Sequence, residues 1–212
     1  MGALAGGAAA GVMGSQRLLA EEDRPGNLPK PISAGDGSLK QALQLRQSTK
    51  SFDEKPLPKQ VLSDLLWSAF GVNRSESGKR TAPSAMNWQE IDIYVITASG
   101  LLLYEPASHS LNQVSTNDIR EAAGRQKYAR KAPVNLVFVS DDSKLKVSED
   151  KKPIYTAANA GFISQNVYLY CAVNGLGTVV RDNIDRPALA KAMELREDQR
   201  IVFAQSVGYP KA

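Results

Sequence analysis

The sequence predicts an α+β domain in which helices pack on a central sheet. Two segments, around residues 58–71 and 154–173, carry apolar residues at helical spacing. The segments at 91–104 and 134–139 show the alternating and continuous apolar runs that are typical of strands. The order of these helices and strands along the chain favours helices packed on a sheet, and no internal repeat interrupts it.

Composition and charge limit the classes of function. The chain has 212 residues, of which 42% are hydrophobic and 23% charged, an ordinary globular composition that can bury a core. The net charge of +4 suits an anionic cofactor or substrate. Basic clusters with interleaved aromatic residues are absent from the sequence, so a nucleic-acid partner is not expected.

The residue types that most often carry redox or metal chemistry are scarce. Cys171 is the only cysteine, which excludes an internal disulfide, and its place in a predicted helix indicates a small buried hydrophobe. His109 is the only histidine, and we expect it at the surface in a turn. No partner lies at ligand spacing from it, so no metal site is expected.

The first 37 residues differ from the rest of the chain. Residues 1–20 contain a charge-free Gly/Ala-rich run that is too short for a stable membrane span. Its length and weak hydrophobicity resemble the middle of a twin-arginine export signal whose start lies upstream of Met1, which predicts a periplasmic or otherwise exported protein. The alternative is a flexible terminus that carries no targeting signal, in a cytoplasmic protein. Residues 21–37 are rich in Pro and Gly and predict a flexible arm, so the folded domain is expected at 38–212.

Two helices are predicted first. Ser38 and Gln41 form a capping box at the start of one, and Pro58 opens the other, which ends at Gly71. The apolar face of the first helix is Leu39, Ala42 and Leu43. Residues 72–82 follow as a basic loop.

The middle of the chain predicts mainly strands. Ile91 to Ile96 and Leu101 to Tyr104 read as a hairpin around Gly100, and Val134 to Val139 as a strand buried on both faces. Asp118 to Tyr128 is predicted to be helical.

The last third predicts a long helix and a closing strand. The helix covers Ile154 to Val173, a short helix follows at Pro187 to Met193, and the strand spans Ile201 to Val207. Small residues let a second helix approach the long one closely; these are Ala157, Ala158, Ala160 and Gly161.

The segment from Arg46 to Phe52 concentrates cations and hydroxyls at the end of the first helix. Arginine offers a planar fork of donors, hydroxyls add short donors and Lys50 adds a mobile charge, so the segment suits a phosphate group. The alternative is a solvated helix end, because Lys and Arg are favoured in a last turn without any ligand.

The same segment, followed by Pro56-Leu57, resembles the flavin-phosphate motif Arg-x-Ser-x-Lys/Arg-x-Phe of the FMN-dependent nitroreductase family. Arg80 to Gln89 is similar to the family signature Pro-Ser-Ser/Ala-x-Asn-x-Gln, which precedes a strand. Leu176 to Arg181 resembles the segment that leads to the flavin edge. The resemblance covers roughly residues 39–211 and is nearest the branch that includes thiazoline-oxidising dehydrogenases.

This resemblance implies a mostly antiparallel sheet flanked by helices, in a homodimer with FMN at the subunit interface. Arg46, Gln47 and Ser48 would hold the phosphate and ribityl chain of FMN. Lys50 would lie near the flavin pyrimidine and stabilise the reduced ring, and Lys211 would add a phosphate contact.

Two further groups of residues follow from the resemblance. The partner subunit would contribute Pro83, Ser84, Ala85 and Asn87. Val180 and Arg181 would offer backbone donors to the reactive flavin nitrogen, although many relatives carry Pro-x-Glu/Gly where this chain has Val179-Val180-Arg181.

The implied activity is ping-pong transfer from NAD(P)H, or another electron donor, through FMN to a small planar acceptor such as a nitroaromatic or quinone. The flavin itself performs the chemistry, so no catalytic side chain is assigned. Two alternatives stay open: an FMN oxidase that acts on a peptide heterocycle or other small substrate, and a non-catalytic FMN-binding electron carrier.

Overall fold

The computed structural model describes residues 26–31 and 38–211. The predicted export signal at 1–20 and most of the predicted arm at 21–37 lie outside the described residues. Among the described residues the helices are α1 (Leu39–Leu45), α2 (Lys59–Phe70), α3 (Lys127–Lys131), α4 (Lys152–Val173) and α5 (Arg186–Ala192). The strands are β1 (Val72–Arg74), β2 (Lys79–Arg80), β3 (Ile91–Thr97), β4 (Gly100–Glu105), β5 (Ser110–Ser115), β6 (Val134–Asp141), β7 (Gly177–Arg181) and β8 (Gln199–Gly208).

A six-stranded sheet forms the centre of the fold. Its strand order is β5-β4-β3-β6-β8-β7, and neighbouring strands are antiparallel. The predicted hairpin around Gly100 is confirmed as β3–β4, and the predicted closing strand is confirmed as β8. The α+β prediction and the antiparallel sheet implied by the resemblance are therefore both confirmed.

Strand β6 is buried along its whole length, as its continuous apolar run predicts. Leu136 and Phe138 face a core shared with α2 and α4. Val137 and Val139 point the other way, into a second core that α5 helps to close. The domain therefore has helices on both faces of the sheet, and burying each such side chain contributes roughly 1.5–3 kcal/mol.

The two predicted helix starts are confirmed, but α1 does not bury its predicted apolar face. Ser38 caps α1 by accepting a hydrogen bond from the Gln41 N–H at 3.2 Å. Of the predicted face only Ala42 is buried, whereas Leu39 and Leu43 are 66% and 55% exposed. Helix α1 therefore contacts α4 but leaves Leu39 and Leu43 largely exposed.

The predicted helix from Asp118 to Tyr128 is wrong. The segment is irregular, and the helix here is α3, which begins only at Lys127. The Arg181 guanidinium donates a 2.9 Å hydrogen bond to the Ala123 carbonyl and fills the space beside Gly124. A helix would need that carbonyl for its own ladder, so the buried arginine replaces the helical turn.

The predicted loop at 72–82 instead contains a two-stranded ribbon. Strands β1 and β2 pair antiparallel, and Gly78 in the turn has a φ of +61°. The Arg74 guanidinium donates to the Arg80 carbonyl at 2.8 Å, which holds the two strands together. The ribbon leads directly into the Pro83 motif.

The described part of the predicted arm, residues 26–31, packs on the domain. The Leu111 N–H donates to the Gly26 carbonyl at 2.7 Å, and Asn27 pairs with Ser110. The Ser63 hydroxyl donates to the Pro29 carbonyl at 2.5 Å. Backbone acceptors of the arm are thus satisfied by both the sheet and α2.

His109 is half-buried and hydrogen-bonded under this arm, so the prediction of a surface residue is wrong. Its Nε2 lies 2.8 Å from the Ser63 hydroxyl and its Nδ1 lies 2.9 Å from the Tyr104 hydroxyl. Because Ser63 gives its hydrogen to Pro29, Nε2 carries the proton and Nδ1 accepts from Tyr104. Burial lowers the pKa of His109, although the Pro29 carbonyl and the Asp64 carboxylate act in the opposite direction.

Cys171 lies inside α4 and is buried, as predicted. Burial raises the pKa of its thiol, so the sulfur is protonated at neutral pH. No helix in the described ranges combines the length and apolar character that crossing a bilayer requires.

We expect His109→Gln to reduce the loss of stability in mild acid. The folded state lowers the pKa of His109 below its unfolded value of about 6.5. The contribution of neutral His109 is therefore complete above that pH and is lost as pH falls through the folded pKa. Urea unfolding at pH 7.5 and pH 5.0 should show a smaller drop in unfolding free energy for the variant. Equal drops in both proteins would contradict this assignment.

Candidate functional site

The segment after α1 lies between the edge strand β7 and the C-terminal residues. The Thr49 N–H donates to the Thr178 carbonyl, and the Asp53 N–H donates to the Tyr209 carbonyl, each at 2.9 Å. The Lys211 N–H donates to the Ser51 carbonyl at 3.1 Å. These bonds place Lys211 beside the segment that contains Lys50, so predicted site residues from both ends of the domain come together.

Two side chains fix this segment. Thr49 packs on Gly177, where a Cβ atom would lie 2.8 Å from the Thr49 methyl carbon, so the strand must present glycine here. Phe52 is buried against Val179, and its ring centroid lies 6.3 Å from that of Tyr128. The residues between these two anchors are held with their side chains toward solvent.

Three predicted site residues converge on Tyr168, a buried residue of α4. The Ser48 and Tyr168 hydroxyl oxygens are 3.0 Å apart, and the Val180 N–H donates to the Tyr168 hydroxyl at 3.0 Å. The Arg46 guanidinium carbon lies 5.4 Å from the centre of the Tyr168 ring. Sequence reasoning missed Tyr168, because an aromatic residue inside a core helix carries no motif of its own.

The hydrogen-bond pattern leaves a donor for a ligand. Because Val180 donates to Tyr168, the tyrosine can give its own hydrogen to Ser48. The Ser48 hydroxyl hydrogen can then point outward, next to Arg46. Gln47 is exposed between them.

The surface around this segment is cationic. Arg46, Lys50 and Lys211 are exposed, and none of them belongs to an ion pair among the described residues. A pocket of about 530 Å³ opens beside the two lysines, lined by Lys50, Ser51, Phe52, Asp53, Glu54, Tyr128, Lys131 and Lys211. Of its two carboxylates, Glu54 pairs with Lys131 at 3.2 Å and Asp53 accepts from the Lys55 N–H at 2.9 Å, so neither forms an ion pair with Lys50 or Lys211.

The second predicted motif forms a strained loop. Met86, Asn87 and Gln89 have φ values of 50°, 56° and 50°, a region that non-glycine residues seldom occupy. Pro83 and Asn87 are exposed, and Ser84 and Ala85 are half-buried. Such strain persists only where surrounding contacts enforce it.

Buried polar contacts enforce the strain. The Ser84 hydroxyl accepts from the Gln89 N–H at 2.8 Å and donates to Glu90 at 3.2 Å. Asn159 of α4 donates to Glu90 at 2.7 Å and accepts from the Ala85 N–H at 3.2 Å. Glu90 is fully buried, so this network fixes the loop to α4.

The two motifs dock on different sides of α4. Asn159 holds the Pro83 loop and Tyr168 holds the Arg46 segment, and they are nine residues apart on one helix. That spacing corresponds to about two and a half turns and about 13 Å of rise, so the two side chains leave opposite sides of the helix. A single chain therefore presents the two motifs on separate sides of α4.

Arg181 is one of the predicted residues, but its side chain points into the core. Its guanidinium donates to Ser206, Ala123 and Asn135 at 3.1, 2.9 and 2.8 Å, respectively. No carboxylate accompanies it, and burial lowers its pKa to about 10. The side chain is structural, and the backbone role predicted for this position stays a prediction.

The described part of the chain contains no candidate metal site. Across residues 26–31 and 38–211, no three side chains of His, Cys, Asp or Glu converge in a way that could hold a metal ion.

Comparison with known proteins places the described fold in context. Residues 43–209 match the model of the nitroreductase family. The crystal structure of a nitroreductase homologue from Ralstonia eutropha is 41% identical, with a TM-score of 0.83 over 87% of this chain and 89% of that chain.

Two more distant structures show similarity of fold alone. The Escherichia coli microcin synthetase McbBCD complex is 18% identical, with a TM-score of 0.69 over 98% of this chain and 85% of that chain. The Vibrio harveyi NADPH:FMN oxidoreductase, solved with NAD+, is 18% identical, with a TM-score of 0.63 over 82% of this chain and 69% of that chain.

We expect Asn159→Ala to destabilise the protein by roughly 2–4 kcal/mol, because it removes partners from a buried carboxyl group and a backbone N–H. The matched control is Asn166→Ala on the same helix, which removes only one bond, to the Ala69 carbonyl. That control should cost about 1 kcal/mol. Urea unfolding measures both losses, and equal losses would rule out the anchoring role of Asn159.

Proposed function

Because the chain belongs to the nitroreductase family, we propose that it is an FMN-dependent oxidoreductase. NAD(P)H is the proposed donor, and a nitroaromatic, quinone or similar small planar molecule is the proposed acceptor. The observation that carries this proposal is the set of exposed, unpaired cations along the segment that contains Ser48 and on the C-terminal residue bonded to it, namely Arg46, Lys50 and Lys211.

The residues present fit the phosphate of FMN. Arg46 offers a planar fork, Ser48 has a hydroxyl hydrogen to donate, and Lys211 adds a second charge from the C-terminal segment. No helix N-terminus is available here, since Arg46 follows the last turn of α1. Side-chain charge must therefore supply the affinity, and three unpaired cations supply it.

The pocket beside Lys50 fits the rest of the cofactor. When bound, FMN supplies two-electron transfer between a reduced nicotinamide and an acceptor that occupy the same face of the ring in turn. Lys50 would place positive charge near the pyrimidine end, where it favours negative charge on a reduced ring. Phe52 and Tyr128 line the same pocket and would exclude water from that side.

We also propose that the active form is a homodimer. Leu39 and Leu43 of α1 and Ile154 and Phe162 of α4 are exposed apolar residues, with Phe162 48% exposed. Gly161, next to Phe162, has open space around the position of a Cβ atom, so a second helix can approach closely.

A second subunit would complete the site. The Pro83–Asn87 loop lies on the other side of α4 from the Arg46 segment, so it can serve only the cofactor of a neighbouring chain. Met86 at the tip of this loop is 82% exposed, which suits a residue that enters a partner.

The direction of electron flow separates this proposal from its alternatives. An FMN oxidase acting on a peptide heterocycle, as in the branch predicted from the sequence, would receive electrons from its substrate rather than from NAD(P)H. A carrier protein would hold FMN without turnover. Anaerobic reduction distinguishes all three.

The visible spectrum of the purified protein tests the cofactor and the donor together. We expect a yellow protein that releases FMN on acid treatment and is bleached by NADH or NADPH without oxygen. FMN without bleaching by either donor would favour the oxidase or the carrier. A colourless protein that gains no flavin on reconstitution would overturn the proposal.

We expect the double variant Arg46→Ala/Lys50→Ala to fold but to be colourless. Losing two charge-assisted contacts should weaken FMN binding by roughly 10²- to 10⁴-fold. The control is Lys146→Ala/Lys191→Ala, which removes two exposed lysines outside the pocket lining and should keep full FMN content. Stoichiometric FMN in the first variant would remove the central claim.

We expect Phe162→Glu to convert the protein to a monomer with reduced FMN content, because it places a charge in the proposed interface. Val114→Glu is the matched control, since Val114 is another exposed apolar residue, 43% exposed, on the edge strand β5. Light scattering coupled to size-exclusion chromatography gives the mass of both. A dimeric Phe162→Glu protein, or a monomeric parent protein, would refute the proposed interface.

A further inference from the structure

A second pocket, of about 240 Å³, lies between the β1–β2 ribbon and the Pro83 loop. Its polar lining consists of three cations and three neutral residues: Arg74, Lys79, Arg80, Ser84, Asn87 and Gln89. No carboxylate lines this pocket. It shares no residue with the pocket beside Lys50, so it is a separate site on the chain.

Arg80 is the most informative residue of this pocket. Its guanidinium carbon lies 4.4 Å from the centroid of the Phe70 ring, and the side chain is half-buried. Its Nε atom is shielded from water and has no hydrogen-bond acceptor among the described residues. Burial lowers the pKa of Arg80, while the Asp92 and Glu105 carboxylates act in the opposite direction without forming an ion pair with it.

A shielded donor without an acceptor is unusual in a native protein and costs free energy until a partner arrives. Arg74 cannot serve, because a guanidinium has no acceptor atom. Its own donors bond the Arg80 carbonyl and the Asn73 side-chain oxygen. Lys79 lies beside them without an ion pair among the described residues. An anion in the pocket would meet the two terminal guanidinium nitrogens of Arg80, which are not shielded as Nε is, and would relieve the repulsion among the three cations.

Of the three neutral polar side chains, Asn87 keeps a free donor, because Ser84 gives its hydroxyl hydrogen to Glu90. Gln89 gives its amide hydrogens to the Gly78 carbonyl and to the Asn87 side-chain oxygen, both at 3.1 Å. The Asn87 side-chain oxygen is therefore occupied, and the Asn87 amide nitrogen is left free to donate a hydrogen bond. The left-handed backbone of Asn87 and Gln89 maintains this orientation.

We propose that this pocket binds a phosphate monoester, namely the 2′-phosphate of an NADPH-type donor. This inference rests on the proposed function, because it identifies the donor of that reaction. A phosphate monoester carries about −1.5 to −2 charges at neutral pH, which matches three cations better than a single carboxylate does. Arginine binds such a group through two parallel bonds. A pocket of this volume holds one phosphate and part of a ribose but not a whole dinucleotide.

The position of the pocket agrees with this assignment. Ser84 and Asn87 belong both to this pocket and to the loop proposed to reach the partner subunit's cofactor. An NADPH-type molecule whose nicotinamide reaches that cofactor would therefore place a more distant part of itself, the 2′-phosphate, in the pocket.

Calorimetric titration of the purified protein tests the site with three probes: 2′,5′-ADP, adenosine and inorganic phosphate. We expect 2′,5′-ADP to bind at least about tenfold more tightly than adenosine, because only the former carries a phosphate monoester. Arg74→Gln/Lys79→Gln, which changes two exposed residues, should abolish this preference. Arg80→Lys, which keeps the charge but not the planar fork, should reduce it. The control Lys146→Gln/Lys191→Gln should leave it unchanged.

The outcomes separate this inference from the proposed function. Inorganic phosphate that binds as well as 2′,5′-ADP, with the same dependence on Arg74 and Lys79, would support a phosphate site but assign it to a smaller ester. Absent binding, or binding that neither pocket variant changes, would overturn the inference. FMN content and reduction by NADH are measured on the same samples. A flavin-loaded, NADH-reducible protein without the phosphate preference would leave the proposed function in place.

Discussion

Backbone hydrogen bonds hold residues 49–53 between β7 and the C-terminal residues, and the candidate site depends on them. They bring Lys50 and Lys211, which are far apart in sequence, to one surface although their charges repel. Each such bond contributes roughly 0.5–1.5 kcal/mol, and burial of Phe52 adds roughly 1.5–3 kcal/mol. The fold can therefore keep like charges together without a bound anion, and an anion that enters the site gains affinity from their repulsion.

Helix α4 anchors both of the predicted motifs. Its two polar anchors, Asn159 and Tyr168, are buried on different sides, so the helix holds one of the two predicted motifs on each side. Between them the surface near Gly161 is open and bordered by the exposed Phe162 ring. Small residues beside a large apolar one are what a close helix–helix contact needs. The same helix thus anchors both motifs and carries the surface on which we propose that a second chain packs.

Much of the fold could be predicted from the sequence, because the spacing of apolar residues and the capping of helices are local properties. Ser38 and Gly71 marked helix ends, and the apolar run of β6 indicated burial on both faces. The failures came from long-range partners. The helix predicted from Asp118 was lost because Arg181 takes a carbonyl from it, and His109 was drawn inward by α2 and the arm. Tyr168 could not be found from sequence for the same reason, since its role is defined by contacts with residues far along the chain.

Three arginines show why cation count alone does not locate an anion site. Arg181 is buried, but three neutral acceptors satisfy it, so it stabilises the core and has nothing left to offer a ligand. Arg46 is exposed and its guanidinium lies near the Tyr168 ring, so water can satisfy its donors. Arg80 lies between these cases, because its Nε is shielded from water and no described residue accepts its hydrogen. The free energy of binding an anion depends on what each donor gives up. If an anion were bound, Arg181 would lose its three acceptors, and Arg46 would exchange water for the ligand. The Nε atom of Arg80 has neither an acceptor nor water to lose.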